Sequence, residues 1–302
     1  MNIKKLLNLP LLELVKHADK IRKDYVGEKL ELCNILNAKS GICNQDCKFC
    51  AQSSRYKTGI AIYPLKEKKE ILEAARRATD IGAERFGIVT SGKTLTADEV
   101  YRICDVVSQI KNKLKIKLCA SLGKLDFKSL KLLKEAGLTR YHHNIETSER
   151  FYPYIVSTSI YDEKIETIKI AKLVGLEVCS GGIFGMGENW QDRINMALLL
   201  KKLDVDSVPI NFLVPIKGTP LQNQKPLSCL DAIKTIAIFR IILKDKIIKI
   251  AAGRETLLGD FQGLGFLAGA NGMLIGGYLT IKGRSLEADY KLIAEIKKIW
   301  KK

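Results

Sequence analysis

Apolar, β-favouring stretches alternate with segments carrying apolar residues every three or four positions, from about residue 32 to the end of the chain. The strand pattern falls on residues 32–37, 85–89, 115–120 and 140–144, and again on 176–181, 207–212, 247–251 and 272–275. Between and after them the longer period predicts helices over 65–81, 97–110, 126–136 and 161–174, then 191–203, 228–243, 257–267 and 286–300. Gly82, Gly137 and Gly175 stand where three of these helices should stop. Eight β units alternating with eight α units predict an α/β fold, a (β/α)8 TIM-type barrel with an N-terminal helical segment covering its bottom. One such barrel uses nearly all 302 residues. The expected organisation is a single domain over 1–302, with a helical cap at 1–30, a barrel core at 31–284 and a C-terminal helix at 285–302.

Barrels of this kind carry their chemistry at the C-terminal ends of the strands. On the expected order, Cys43, Cys47 and Cys50 follow strand one and Cys119 ends strand three. Asn144 and Glu146 end strand four, Cys179 to Gly182 end strand five, Asn211 ends strand six and Arg254 follows strand seven. Polar and sulfur groups therefore gather at one mouth, which core packing would not demand.

Charge changes this picture little. The formal net charge is +17, which raises a nucleic-acid reading. Lysine-rich runs such as 66–69 and 111–117 fall where surface helices or strand entries are expected, and no interleaved aromatic-and-arginine pattern accompanies them. Solubility, or docking of an acidic electron-transfer protein, accounts for the charge without nucleic acid. Every apolar run is interrupted by charge, so no membrane span is expected. The basic start followed by apolar residues 6–15 contains Glu13 and lacks a small-residue cleavage site, which favours a helical cap over a signal peptide and a cytoplasmic protein. Eight cysteines in a chain of this size then suggest metal or redox chemistry more than disulfides.

Cys43-Asn-Gln-Asp-Cys47-Lys-Phe-Cys50 is a C-x3-C-x2-C run. Three thiolates so spaced can hold one cuboidal iron–sulfur cluster and leave one iron open. The open iron can chelate the amino and carboxylate groups of S-adenosylmethionine, whose C–S bond an electron then breaks to a 5′-deoxyadenosyl radical. A zinc knuckle would need a fourth ligand, and none of the three histidines lies near this loop. The surrounding segment, Asn37 through Tyr56, resembles the cluster loop of biotin synthases within the radical S-adenosylmethionine superfamily. The resemblance returns at Tyr141 to Ser148, Val178 to Glu188, Val208 to Pro220 and Ala251 to Glu255, and covers almost the whole chain.

The resemblance implies conversion of dethiobiotin to biotin by sulfur insertion at two unactivated carbons, with the sulfur taken from an auxiliary iron–sulfur cluster. It implies Cys43, Cys47 and Cys50 as ligands of the 4Fe–4S radical cluster and the backbone at Phe49 as an adenine contact. Asn144 and Glu146 match a ribose-binding pair, with Glu146 where aspartate is frequent and Asn144 also counted among the substrate contacts. The segment Ile88 to Gly92, Ser91 included, matches one that meets the methionine amino group. Lys164 stands where a basic residue pairs with the methionine carboxylate, although a lysine on a helix surface reads equally well. Asn211 matches the amide that binds the ureido ring. His142 and Thr280 are candidates for the substrate carboxylate, with a packed side chain as the alternative for His142. An acidic electron donor such as flavodoxin or ferredoxin, and a homodimer, are implied in the same way.

At the auxiliary cluster the sequence departs from the family. Cys119, Cys179 and Arg254 match three of its four ligands, but Gly87 occupies the place of the fourth and cannot bind iron. Cys33 on the neighbouring first strand is either a relocated ligand or a buried core cysteine. The cluster is accordingly expected as 2Fe–2S or as a modified 4Fe type. Cys104 and Cys229 fall in outer helices and are read as structural. Three other readings stand beside this one: a related barrel enzyme of the hydrogenase-maturase or methylornithine-synthase kind, a degenerate paralogue without sulfur insertion, and a basic metal-stabilised RNA-binding module.

Overall fold

A computed structural model describes residues 3–279 and 283–301. The strands are β1 (Glu31–Lys39), β2 (Arg85–Thr90), β3 (Lys117–Ser121), β4 (Arg140–His142), β5 (Glu177–Cys179), β6 (Gly182–Phe184), β7 (Ser207–Phe212), β8 (Ile247–Ile250) and β9 (Gly272–Leu274). All pair in parallel, and β9 returns to β1, so the sheet closes on itself. The expected barrel is therefore observed. Its fifth position is divided: β5 joins β7 at Cys179 opposite Ser207, and β6 continues along β7 from Gly182 opposite Ile210.

Close backbone approach explains that break. A Cβ on Gly182 would lie 2.0 Å from the Glu146 carbonyl oxygen, and one on Gly181 would lie 2.0 Å from that of Pro209. Only glycines let the end of β4 press against this point, where both the Ile145 and Glu146 amides donate to the Gly181 carbonyl. The sequence pattern alone predicts one strand running through 176–181.

Outer helices match the predicted spacing within a few residues, from Lys68–Asp80 to Leu286–Trp300. Gly137 ends one of them with φ +115°, donating to the Leu133 and Lys134 carbonyls. The segment expected as one helix over 257–267 is instead Arg254–Leu258, a 3₁₀ turn at Gly259–Phe261, and Gln262–Leu267. Helix Cys229–Leu243 is buried almost all round because the N-terminal helix Leu11–Tyr25 packs on its outer side. That N-terminal helix also meets Gln262–Leu267, so it packs on the barrel's outer helical layer, where the expectation was a cover over the bottom. No helix among the described residues is long and apolar enough to cross a membrane.

Candidate active site

The C-x3-C-x2-C loop leaves β1 at the mouth and is fixed by its own polar residues. Cys43 exchanges backbone bonds with Gln52 and Ser54, and the Cys50 amide donates to the Cys47 carbonyl. The Ser53 hydroxyl donates to the Gln45 carbonyl at 2.6 Å. Asp46 ties the loop to the segment after Tyr152–Tyr154. Its carboxylate accepts from the amides of Ser157 (2.9 Å) and Thr158 (3.1 Å) and from both hydroxyls. Partial burial opposes ionisation of Asp46, but the Ser157 and Thr158 donors outweigh it and hold the carboxyl well below its ordinary range. Ile42, just ahead of Cys43, takes φ +54°, a strained setting for a β-branched residue. Burial, then the neighbouring thiols, pushes Cys50 up to about 11 and Cys47 higher still, so the three sulfurs lie within electrostatic reach of one another.

Around this loop stand the residues expected to meet S-adenosylmethionine. Phe49 packs against the core from the loop. Ser91 bonds the Gly41 carbonyl through its hydroxyl (2.7 Å) and the Lys39 carbonyl through its amide, which binds the end of β2 to the cluster loop. Ile88 is fully buried in β2. Asn144 accepts from the Gly181 amide at 3.0 Å, and Glu146 adopts φ +69° with its Oε2 sealed from solvent and without a partner. Burial pushes the Glu146 carboxyl up against the pull of Lys164 and His142. Lys164 acts electrostatically on Cys47, Glu146 and His143, so it reaches this side of the mouth from helix Tyr161–Leu173. His143, to which the sequence pattern assigns no role, is buried with Nε2 unpartnered; burial and then Lys164 hold it well below its usual range.

Deeper in the barrel lies a second thiol group. Cys33 on β1, Cys119 on β3 and Cys179 on β5 are all free. Cys33 and Cys119 influence each other, as do Cys119 and Cys179. Lys249 on β8 donates to Cys33 Sγ at 3.1 Å and pairs with Glu31 Oε1 at 2.8 Å. Burial pushes the Cys33 thiol up to about 12 despite that lysine. At Cys179 the outcome reverses: burial raises it, but Lys249, His142 and Arg140 together outweigh burial and bring the thiol to about 6.

Arg254 does not join these thiols, contrary to expectation. Its donors go to Asp289, Gln262, Tyr278 and the Leu274 carbonyl. The basic residue beside the thiols is Lys249, five residues earlier. His142 pairs with Cys179 in the β4–β5 register, which places it next to the deeper thiols. Asn211 bonds the Gly182 carbonyl (3.0 Å) and the Ala252 amide (3.2 Å), leaving one N–H and one acceptor position for a ligand. Gly87 lies opposite both Ile35 and Cys119, and a Cβ there would meet Ile35 Cγ2 at 3.0 Å and Cys119 Cβ at 3.9 Å. Ile35 thus fills the space a side chain at 87 would need. Thr280 lies outside the described residues.

Residues 38–200 match the radical SAM superfamily, and residues 209–297 match the biotin and thiamin synthesis associated domain. A biotin synthase of Thermotoga petrophila is 53% identical over 99% of both chains. One of Thermotoga neapolitana is 56% identical over 90% of this chain and 98% of its own. The chain belongs to the biotin synthase family. Among solved structures, methylornithine synthase shares the fold with a TM-score of 0.85 at 22% identity, over 98% of this chain and 91% of that one. The FeFe-hydrogenase maturase of Carboxydothermus hydrogenoformans has a TM-score of 0.81 at 18% identity, over 97% and 76%.

Family membership makes the chain a sulfur-inserting enzyme, with S-adenosylmethionine, a 4Fe–4S cluster and an auxiliary iron–sulfur cluster as its cofactors. The residues present fit both sulfur-ligated groups. Cys43, Cys47 and Cys50 share one loop and Cys33, Cys119 and Cys179 lie on strands of one barrel, all of them free to bind iron, and Glu146 Oε2 is a buried acceptor waiting for a donor such as a ribose hydroxyl. Two signals were open to sequence reasoning and missed: a lone lysine within the apolar strand Ile247–Ile250, and Glu31 at the start of β1. Charged residues inside barrel strands are rare unless paired.

Proposed function

We propose that Cys43, Cys47 and Cys50 hold the radical cluster and that Cys33, Cys119 and Cys179 hold the auxiliary cluster from which sulfur enters dethiobiotin. The radical cluster, when bound, supplies the electron that cleaves S-adenosylmethionine. Asn144 and Glu146 accept the ribose hydroxyls, the Phe49 backbone meets the adenine, and the 88–92 segment with Lys164 receives the methionine end. Asn211 orients the ureido ring with its remaining N–H and lone pair. The buried β-barrel walls exclude water from the reacting carbons. What carries this reading is Cys33: it lies on β1 two residues before Ile35, the neighbour of Gly87, within electrostatic range of Cys119 in the barrel interior that also holds Cys179.

The electron donor is an acidic protein of the flavodoxin or ferredoxin kind, drawn by the net charge of +17. The protein works as a homodimer in the cytoplasm, a compartment that suits eight free thiols. Size-exclusion chromatography with light scattering tests the dimer, and the salt dependence of reduction tests the donor.

Mössbauer spectroscopy with iron and sulfide analysis, on anaerobically reconstituted wild type and Cys33→Ala, tests the ligand set. Loss of only the second signal in the variant supports it. A single cluster in both proteins would remove the sulfur-donor assignment.

A further inference from the structure

Beneath the deeper thiols the barrel floor holds a charge cluster that sulfur insertion, as described, leaves without a task. Glu31 is buried and meets three cations: Lys249 at 2.8 Å, Arg140 at 2.6 Å and Arg85 at 2.8 Å. Arg85 and Arg140 also reach Glu177, whose side chain is 42% exposed. Three positive charges therefore face two carboxylates, only one of them buried. An excess buried cation is costly unless an anion offsets it. Facing Lys249 are Cys33 from β1, Cys179 from β5 and Arg140 from β4, while Cys119 on β3 faces the two arginines. The cysteine sulfurs are the groups within reach, and as cluster ligands they would be thiolates that offset this charge.

Gly272 shows that the lysine's path is built. It pairs with Glu31 on one side and Lys249 on the other. A Cβ there would lie 2.8 Å from Lys249 Cγ and 3.1 Å from the Glu31 carbonyl oxygen. The bare backbone lets the lysine stem cross β9's face and bring Nζ to the sulfur.

We propose that Glu31 and Lys249 form a positioning pair for the sulfur-rich centre, in which Lys249 donates to sulfur on the Cys33 side and sets the centre's reduction potential, while Glu31 holds the ammonium in place. This rests on the assignment of Cys33, Cys119 and Cys179 as ligands. A cation beside the centre favours its reduced, more negative state, so its removal lowers the potential. Removal of Glu31's charge raises it.

The test uses anaerobically reconstituted holoprotein as wild type, Lys249→Met, Lys249→Arg, Glu31→Gln, Gly272→Ala and Cys33→Ala. Iron and sulfide are counted, and each centre is titrated by EPR. Lys249→Met should keep the iron of both centres and shift the second centre's reduced-to-oxidised ratio at fixed potential by at least tenfold toward oxidised. That is about 59 mV for a one-electron couple. Lys249→Arg should stay near wild type, and Glu31→Gln should shift the opposite way. Gly272→Ala, which displaces the lysine without changing charge, should shift as Lys249→Met does, by less. The radical cluster's potential should not move in any of them. An unchanged second potential in Lys249→Met overturns the proposal, as does loss of the second centre's iron, which would make Lys249 a ligand or an assembly residue. Should Glu31→Gln fail to fold, the two Lys249 variants and Gly272→Ala decide between these outcomes. Full second-centre iron in Cys33→Ala would instead overturn the ligand assignment, whatever Lys249 does.

Discussion

Arg254 Nη2 lies 2.8 Å from Asp289 Oδ2, and both side chains are buried. The pair fastens the short helix after β8 to the C-terminal helix, with Tyr278 and Gln262 completing the guanidinium's bonds. A guanidinium so engaged has no free edge for iron.

Removing one partner leaves the other charge buried alone. Asp289→Ala should therefore destabilise the protein by about 3–5 kcal/mol, read by denaturant unfolding. Arg254→Met should keep the iron of both centres; loss of the second centre alone would return Arg254 to the ligand set.

Asp46 anchors the cluster loop through four donors on Ser157 and Thr158. Asp46→Ala should cost about 1–2 kcal/mol of local stability and reduce retention of the radical cluster. The shift is downward, so the anchor's contribution is complete above the ordinary carboxylate range, about 3.9. It is lost only as pH falls through the lower folded value. Amide exchange of 157–158 followed against pH measures this, and early loss near neutrality would contradict it.

Glu146 behaves oppositely, since burial raises it. The empty protein should lose stability as pH climbs from about 4.3 through the folded value, because the native state holds the proton more tightly. Glu146→Gln should flatten that slope. It should also weaken S-adenosylmethionine binding by about ten- to a hundredfold, the loss of a charged acceptor, measured by calorimetry. Unaltered affinity would remove Glu146 from the ribose site.

Ile35 occupies the space beside Gly87. Gly87→Cys should cost about 1–3 kcal/mol through overpacking. Combined with Ile35→Ala it should be more stable than the two single effects summed, a coupling that a double-mutant cycle reads directly. Simple additivity would place the new side chain elsewhere.

Local periodicity determined much of this protein. Alternating strand and helix patterns are set by neighbours a few residues apart, so the eight barrel positions, most helix limits and the glycine stop at Gly137 were legible in the chain. The radical-cluster loop was legible for the same reason: its three cysteines are contiguous, and the spacing itself carries the chemistry. Arg254 was misassigned because its partner, Asp289, is 35 residues away and on another element. Lys249 meets Cys33 across 216 residues only because β9 closes the barrel between their strands. The break between β5 and β6 likewise depends on backbones of Glu146 and Pro209 arriving from other strands. Side-chain partners of this kind are fixed by the register and stagger of a closed sheet, which no local pattern encodes.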